Sequence, residues 1–307
     1  MVVAVRSAAV ARVVVGQEDT VRLAFMTLLC SGHSLLEGVP GVAKTLLVRT
    51  LAAALAIRFG RVQFTPDLMP ADIIGTTVLS LDEGAARFRP GPLFTDLLLA
   101  DEINRASAKT QAALLEAMQE RAATVDGTRH ALGDLFTVFA TQNPVEHEGT
   151  YPLPEAELDR FLFKIVVPYP NEDEERAVLA LHHGAQPLPA DVSPVLDAAT
   201  LAQCRRTVDG VIVRDAIIHY VAALVRATRN DVRFALGASP RAGVMLLRAA
   251  KAAAALAGRD YVLPEDVQDL WQATLRHRVQ LDPAAEVEGL TADAALERTL
   301  QSVTVPR

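Results

Sequence analysis

The first half of the chain alternates between short apolar runs and longer stretches in which apolar residues recur at helical spacing. A strand in a parallel sheet is often continuously apolar, because helices cover both faces of the sheet. The segments that we assign to strands are LLE at 35–37, RVQFT at 61–65, LLLA at 97–100, FTVFATQ at 136–142 and FLFKIVV at 161–167. This alternation predicts an α/β fold with a five-stranded parallel sheet.

Two stretches interrupt the alternation with the pattern of a β-hairpin. Residues 76–89 (TTVLSLDEGAARFR) form two alternating runs around an Asp-Glu-Gly turn, and residues 123–132 carry Asp126-Gly127 at a second tip. We interpret the first hairpin as an insertion into the α/β domain.

From Asn171 onward the pattern is that of amphipathic helices, and Ser239-Pro240 and Leu263-Pro264 fit helix starts with proline at the first position. We predict an α/β domain at 1–170, a connecting helix and hinge at 171–194, and a smaller all-helical domain at 195–307. The tail after Asp282 is weakly patterned, and we assign no element to it.

Composition narrows the class of protein. The net charge of −7 argues against a surface built to bind nucleic acid. Cys30 and Cys204 have no metal-type spacing, so we expect reduced, buried thiols in a cytoplasmic protein. Arg6 and Arg12 interrupt the apolar N-terminus, and the chain has no run of about eighteen apolar residues, so we expect no signal peptide and no membrane segment.

A glycine-rich turn between the first strand and the next helix is the strongest chemical signal. It matches a P-loop with alanine in place of the second glycine, and its residues are Gly38, Val39, Pro40, Gly41, Val42, Ala43, Lys44 and Thr45. Backbone N–H groups at such a turn bind phosphate, Lys44 adds a positive charge, and Thr45 offers a hydroxyl to Mg²⁺.

ATP is the expected nucleotide, because the chain lacks the Asn-Lys-x-Asp sequence that reads guanine. Gly16 and Gln17, upstream of the loop, are candidates for the base pocket from their position alone. For Gly16, a plain helix cap is the alternative.

Polar residues follow two of the predicted strands. Asp101 and Glu102 end the LLLA strand, where Asp101 can hold Mg²⁺ and Glu102 can act as general base toward the attacking water. A solvated helix cap is the alternative for this pair. Asn143 follows the next strand and could orient the water, or it could be a turn residue before Pro144.

Five motifs follow one another along nearly the whole chain: LLEGVPGVAKT, LLLADEINRA, FATQNP, GTYPLPEAELDRF and ASPRA. Together, and in this order, they resemble the AAA+ ATPases of the MoxR family, a branch with a helix-2 insertion that is related to the AAA subunits of magnesium chelatase. Alanine at position 43 is the form that this family tends to show.

The resemblance implies roles that the residues alone do not. It makes Asn143 the sensor-1 residue, Arg160 an arginine finger that acts on the nucleotide of a neighbouring subunit, and Arg241 the sensor-2 arginine of a lid domain. Whether Arg241 serves its own site or a neighbour's stays open. The hairpins at 76–89 and near 126 correspond to the helix-2 and pre-sensor-1 insertions.

The implied protein is a ring-forming ATPase, typically a hexamer, with ATP and Mg²⁺ as cofactors. It would remodel or mature partner proteins, often ones with a von Willebrand factor A domain. Two alternatives remain at this point: a motor ATPase of a nucleic-acid machine, and an assembly module that binds ATP with little turnover.

Overall fold

The structure is a computed structural model that describes residues 10, 13–79, 86–144, 150–183 and 192–306. The chain divides into two compact units. We call Met1–Pro154 with Ile165–Leu201 the α/β unit, and Glu155–Lys164 with Ala202–Arg307 the helical unit. The tip of the hairpin predicted at 76–89 and most of the hinge predicted before residue 194 lie outside the described residues.

Strands up to residue 170 follow the predicted pattern closely. They are β1 (Ser34–Glu37), β2 (Phe59–Gln63), β3 (Gly75–Leu79), β4 (Ala86–Pro90), β5 (Leu97–Asp101), β6 (Ala122–Val125), β7 (Thr128–Ala131), β8 (Thr137–Gln142) and β9 (Phe163–Val166). Five of them form one sheet in the order β2-β5-β8-β1-β9. The pairs β2/β5, β5/β8 and β8/β1 are parallel, and the predicted five-stranded parallel sheet is confirmed.

The strand order determines which polar residues lie together at one edge of the sheet. Strand β5 is buried along its whole length, and β8 lies between β5 and β1. Because parallel strands end at the same edge of a sheet, the residues after β1, β5 and β8 are neighbours there. Those residues are the glycine-rich turn, Glu102 and Asn143, and Asp101 lies with them as the last residue of β5.

Both predicted hairpins form antiparallel pairs, β3 with β4 and β6 with β7. The second turn, Asp126-Gly127, has positive φ angles of 48° and 77°, as tight hairpin turns require. The rings of Phe88 on β4 and His130 on β7 stack with centroids 3.8 Å apart, so the two hairpins touch through their side chains.

The helices, in chain order, are α1 (Glu18–Leu29), α2 (Lys44–Ala54), α3 (Pro70–Ile74), α4 (Ala108–Glu120), α5 (Glu155–Leu158), α6 (Glu172–His183), α7 (Ala198–Asp209), α8 (Asp215–Asn230), α9 (Pro240–Leu256), α10 (Pro264–Leu275), α11 (Pro283–Val287) and α12 (Ala292–Ser302). The helical unit also contains a short antiparallel pair, β10 (Phe234–Leu236) with β11 (Gln280–Leu281). Among the residues that the structure describes, no helix is both long and apolar enough to cross a membrane.

Two helices in the tail after Asp282 were not expected from the sequence. Asp282 and Thr291 cap α11 and α12 through their side chains. The buried Trp271 donates from Nε1 to the carbonyl of Leu296, 2.9 Å away, and fastens α12 to the core of the helical unit. The tail shows a weak pattern because its buried face consists of only a narrow stripe around Ala295 and Leu296. Cys30 and Cys204 are both buried thiols, as predicted.

Candidate nucleotide site

The ends of β1, β5 and β8 surround a cleft of about 390 Å³ in the α/β unit. It is lined by Pro40, Gly41, Val42, Ala43, Lys44, Thr45, Leu46, Asp101, Glu102, Thr141, Gln142 and Asn143. The fold thus brings together residues from three separate stretches of sequence. Asn143 is only 7% exposed, although it follows directly on the last residue of β8.

The glycine-rich turn adopts a backbone that few side chains allow. Gly41 has φ 87°, and Ala43, the residue before α2, lies in the left-handed region at φ 60° and ψ 23°. Gly38 is required for another reason, since a Cβ there would lie 2.7 Å from the carbonyl oxygen of Val167. The conformation of the turn therefore depends on glycine or another small residue at positions 38, 41 and 43.

The first turn of α2 reads Lys-Thr-Leu-Leu, so no carboxylate of its own neutralises the positive end of this helix. Lys44 Nζ donates to the carbonyl of Val39 at 3.0 Å and also to that of Gly38. A helix N-terminus with a lysine held over its loop is an arrangement suited to phosphate.

Thr141 contacts both residues of the Asp101-Glu102 pair at the end of β5. Its hydroxyl donates to Asp101 Oδ1 at 2.6 Å and accepts from the backbone N–H of Glu102 at 2.8 Å. Glu102 has φ 56° and ψ 51°, a strained backbone for a side chain of its size. Strain of this kind clusters at functional sites.

Strand β2 adds two residues that sequence reasoning missed. Arg61 donates from Nη2 to Asp101 Oδ2 at 2.7 Å, and Gln63 donates from Nε2 to Glu102 Oε2 at 2.7 Å. Arg105, one turn after Glu102, donates to the same Oε2 at 2.9 Å. The alternation of Arg61 and Gln63 places both on one face, but only the position of β2 beside β5 brings that face to the carboxylates.

Gln17 contacts the turn, and Gly16 directly precedes Gln17 in the chain. Both have positive φ angles, 70° and 57°, and Gln17 donates from Nε2 to the carbonyl of Val42 at 3.1 Å. The residue directly before α1 is Gln17, so the cap position falls one residue after Gly16, for which a helix cap is the alternative. A role for the pair in a base pocket stays a prediction.

Arg160 and Arg241 belong to the helical unit. Arg160 lies just after α5, and Arg241 is the second residue of α9, whose cap is Ser239. The hydroxyl of Ser239 donates to Asp159 Oδ2 at 3.1 Å, so the segments that carry the two arginines are directly joined.

The fold and the cleft define a P-loop protein of the α/β type with a second, helical domain. Residues 33–163 match the family model described as ATPase family associated with various cellular activities (AAA), and residues 226–299 match the AAA lid domain. The chain belongs to the MoxR family of AAA ATPases, as its similarity to known proteins shows.

Two relatives and one solved structure illustrate this similarity. The uncharacterized protein YeaC of Bacillus subtilis is 47% identical over 96% of this chain and 92% of its own length. Chaperone MoxR1 of Mycobacterium tuberculosis is 44% identical, over 97% of this chain and 81% of its own. A crystal structure from Cytophaga hutchinsonii, provisionally described as that of an ATPase, superposes with a TM-score of 0.90 at 40% identity and covers 97% of this chain and 93% of that one.

Proposed function

We propose that the protein is a Mg²⁺-dependent ATPase that assembles into a ring, most simply a hexamer, and remodels or matures partner proteins in the cytoplasm. The observation that carries this proposal is the meeting of Lys44, Asp101, Glu102 and Asn143 in one cleft. Each residue type matches a separate requirement of phosphoryl transfer to water. The chaperone name of MoxR1 supports a protein as the partner.

The phosphates of ATP would lie on the turn from Gly38 to Thr45, with Lys44 Nζ moving from the loop carbonyls to the β- and γ-phosphates. The hydroxyl of Thr45 and the carboxylate of Asp101 line the same cleft and are oxygen donors of the kind that Mg²⁺ prefers. When bound, Mg²⁺ would neutralise charge on the phosphate oxygens.

Glu102 would take the proton of the attacking water, and the amide of Asn143 would orient that water. Gln63 and Arg105 both donate to Glu102 Oε2 and so occupy this carboxylate oxygen. We expect Glu102 to act once at least one of these donors has moved away. The strained backbone of Glu102 would hold its side chain toward the cleft.

The proposed role of Arg160 requires a ring. Arg160 would reach the nucleotide of the next subunit and supply positive charge to the transferring phosphate. Arg241 would act from the lid, on its own or the neighbouring nucleotide. A site completed by a neighbour makes turnover depend on assembly.

Arg61 provides a test of the Asp101 assignment. The Arg61→Ala variant is expected to need about three- to tenfold less Mg²⁺ for half-maximal ATP hydrolysis, because a competing cation beside Asp101 is removed. A Mg²⁺ titration of phosphate release measures this, with Arg58→Ala as control, since Arg58 pairs with Asp96 near the start of the same strand. An unchanged Mg²⁺ requirement would mean that Asp101 does not contribute to the metal site.

Partner remodelling is tested by nucleotide-dependent capture. The Glu102→Gln variant should retain a specific protein in ATP and release it in ADP, while Lys44→Ala should retain it in neither. The same protein, purified, should stimulate phosphate release by the wild type. Stimulation by DNA or RNA, with none by the captured protein, would contradict the remodelling proposal.

A further inference from the structure

Arg278 is a buried arginine of the helical unit that no motif singled out. It lies after α10, and its side chain is 1% exposed. Nε donates to Asp159 Oδ1 at 2.7 Å, and the two terminal nitrogens donate to backbone carbonyls. Those carbonyls belong to Asp159 and Leu162, each at 3.1 Å, and to Phe161 and Thr274.

The hydrogen bonds of Arg278 converge on one short segment, residues 159–162. Three of the four carbonyls that accept from Arg278 belong to Asp159, Phe161 and Leu162, the residues on either side of Arg160. The neighbouring His277 also contributes, since its Nε2 lies 3.0 Å from the carbonyl oxygen of Phe161. The backbone around Arg160 is therefore fixed by groups 116 to 119 residues further along the chain.

Asp159 connects the hydrogen bonds of Arg278 to the start of α9. Its Oδ1 accepts from Arg278 and its Oδ2 accepts from the hydroxyl of Ser239. Ser239 caps α9, whose second residue is Arg241. The carboxylate of Asp159, the residue before Arg160, is thus bonded to Ser239, which caps the helix that carries Arg241.

A buried ion pair is rarely the most stable solution for a core, because apolar side chains of similar size often do as well or better. Burial, and to a smaller extent the positive charge of Arg241, lower the pKa of Arg278, which Asp159 partly restores, leaving it at about 10. Arg278 is therefore still cationic at neutral pH. Burying the Arg278 cation is energetically unfavourable, so packing alone does not explain an arginine at this position.

We propose that the Asp159–Arg278 ion pair is a positioning device that fixes the direction in which Arg160 is presented to the neighbouring subunit and couples it to Arg241 through Ser239. The proposal rests on the trans role of Arg160 in the proposed function. Neither Asp159 nor Arg278 would touch ATP; both would act through the segment that carries Arg160.

The test uses assemblies in which the two halves of the site come from different subunits. Acceptor subunits carry Arg160→Ala and keep an intact P-loop. Donor subunits carry Lys44→Ala, bind no nucleotide, and keep Arg160. Because the donor's own site is inactive, a further substitution in the donor can lower turnover only through what it presents to the acceptor.

Adding Asp159→Asn to the donor is expected to lower the recovered kcat by at least about tenfold, a fraction of what an arginine finger contributes, with an unchanged KM for ATP. Arg278→Lys in the donor should act in the same direction, since an ammonium cannot reproduce the fork of a guanidinium. Asp266→Asn is the matched control, because Asp266 is 8% exposed in its own ion pair with Arg259, at 2.6 Å, in the same unit. That donor should recover turnover fully.

Native mass spectrometry and thermal melting check that each donor folds and enters the mixed assembly. If the Asp159→Asn donor fails this check, Ser239→Ala, which removes one hydroxyl from the same carboxylate, takes its place with a smaller expected loss. Recovery equal to that of the Asp266→Asn donor would overturn the positioning role alone. Failure of every mixture, the control included, would overturn the trans role of Arg160 and this inference with it.

Discussion

The Glu102→Gln variant is expected to bind ATP as tightly as the wild type and to hydrolyse it about 10²- to 10⁴-fold more slowly, the range that a positioned general base contributes. Glutamine keeps the length and shape of the side chain, so its neighbours Gln63 and Arg105 retain a hydrogen-bond acceptor. It cannot take a proton from water, and the loss should fall on kcat.

Fluorescent-nucleotide binding and phosphate release measure the two quantities separately. Glu116→Gln on the exposed face of α4 is the matched control and should leave both unchanged. Wild-type turnover in the Glu102→Gln variant would remove Glu102 from its proposed role. A parallel loss of ATP binding would assign it to the binding of the nucleotide instead.

Loss of Arg160 should lower turnover at least as much, for a reason that lies in the neighbouring subunit. Arg160→Ala is expected to lower kcat by about 10³- to 10⁵-fold, the contribution of an arginine finger, while ATP affinity stays close to that of the wild type. The effect should fall on turnover because the P-loop of each subunit is intact.

Mixing distinguishes action in trans from action in cis. Arg160→Ala subunits combined with Lys44→Ala subunits should regain part of the turnover, because some interfaces then pair an intact P-loop with an intact arginine. The exposed Arg298→Ala serves as control and should hydrolyse ATP like the wild type. Absence of recovery at every mixing ratio would contradict a role in trans.

The sequence predicts the parallel sheet well because its strands are buried on both faces, which leaves continuous apolar runs such as LLLA before Asp101. The strand boundaries are predicted less accurately: the sequence places β2 at 61–65, and the structure has it at Phe59–Gln63. Its register against β5, rather than its own apolar content, sets its limits, since Phe59 pairs with Leu97 and Gln63 with Asp101.

The sequence does not reveal contacts between residues that are far apart along the chain. The positions of Arg61 and Gln63 beside the carboxylates follow from strand order, which no local pattern specifies. Arg278 is 119 residues from Asp159 and reads locally as one more charge in a basic stretch. The glycine-rich turn could be recognised from the sequence because its residues are continuous in the chain, and its binding of phosphate stays a prediction.

Ala43 and Glu102 show how the site departs from ordinary backbone preferences. Both lie in the left-handed region, which costs a side-chain-bearing residue about 1–2 kcal/mol. Ala43 is the residue before α2, and Glu102 directly follows Asp101, the last residue of β5, so each strained residue lies where an element that lines the cleft begins or ends. The sequence names these residues, but only the backbone angles reveal the strain.

Phosphate release from ATP by the full chain, measured across a range of protein concentrations with excess Mg²⁺ or with EDTA, tests the central claim most directly. The account predicts Mg²⁺-dependent release that rises more steeply than the protein concentration, because each site is completed by a neighbouring subunit. Absence of release from the assembled protein in Mg²⁺, or release that EDTA leaves unchanged, would contradict it.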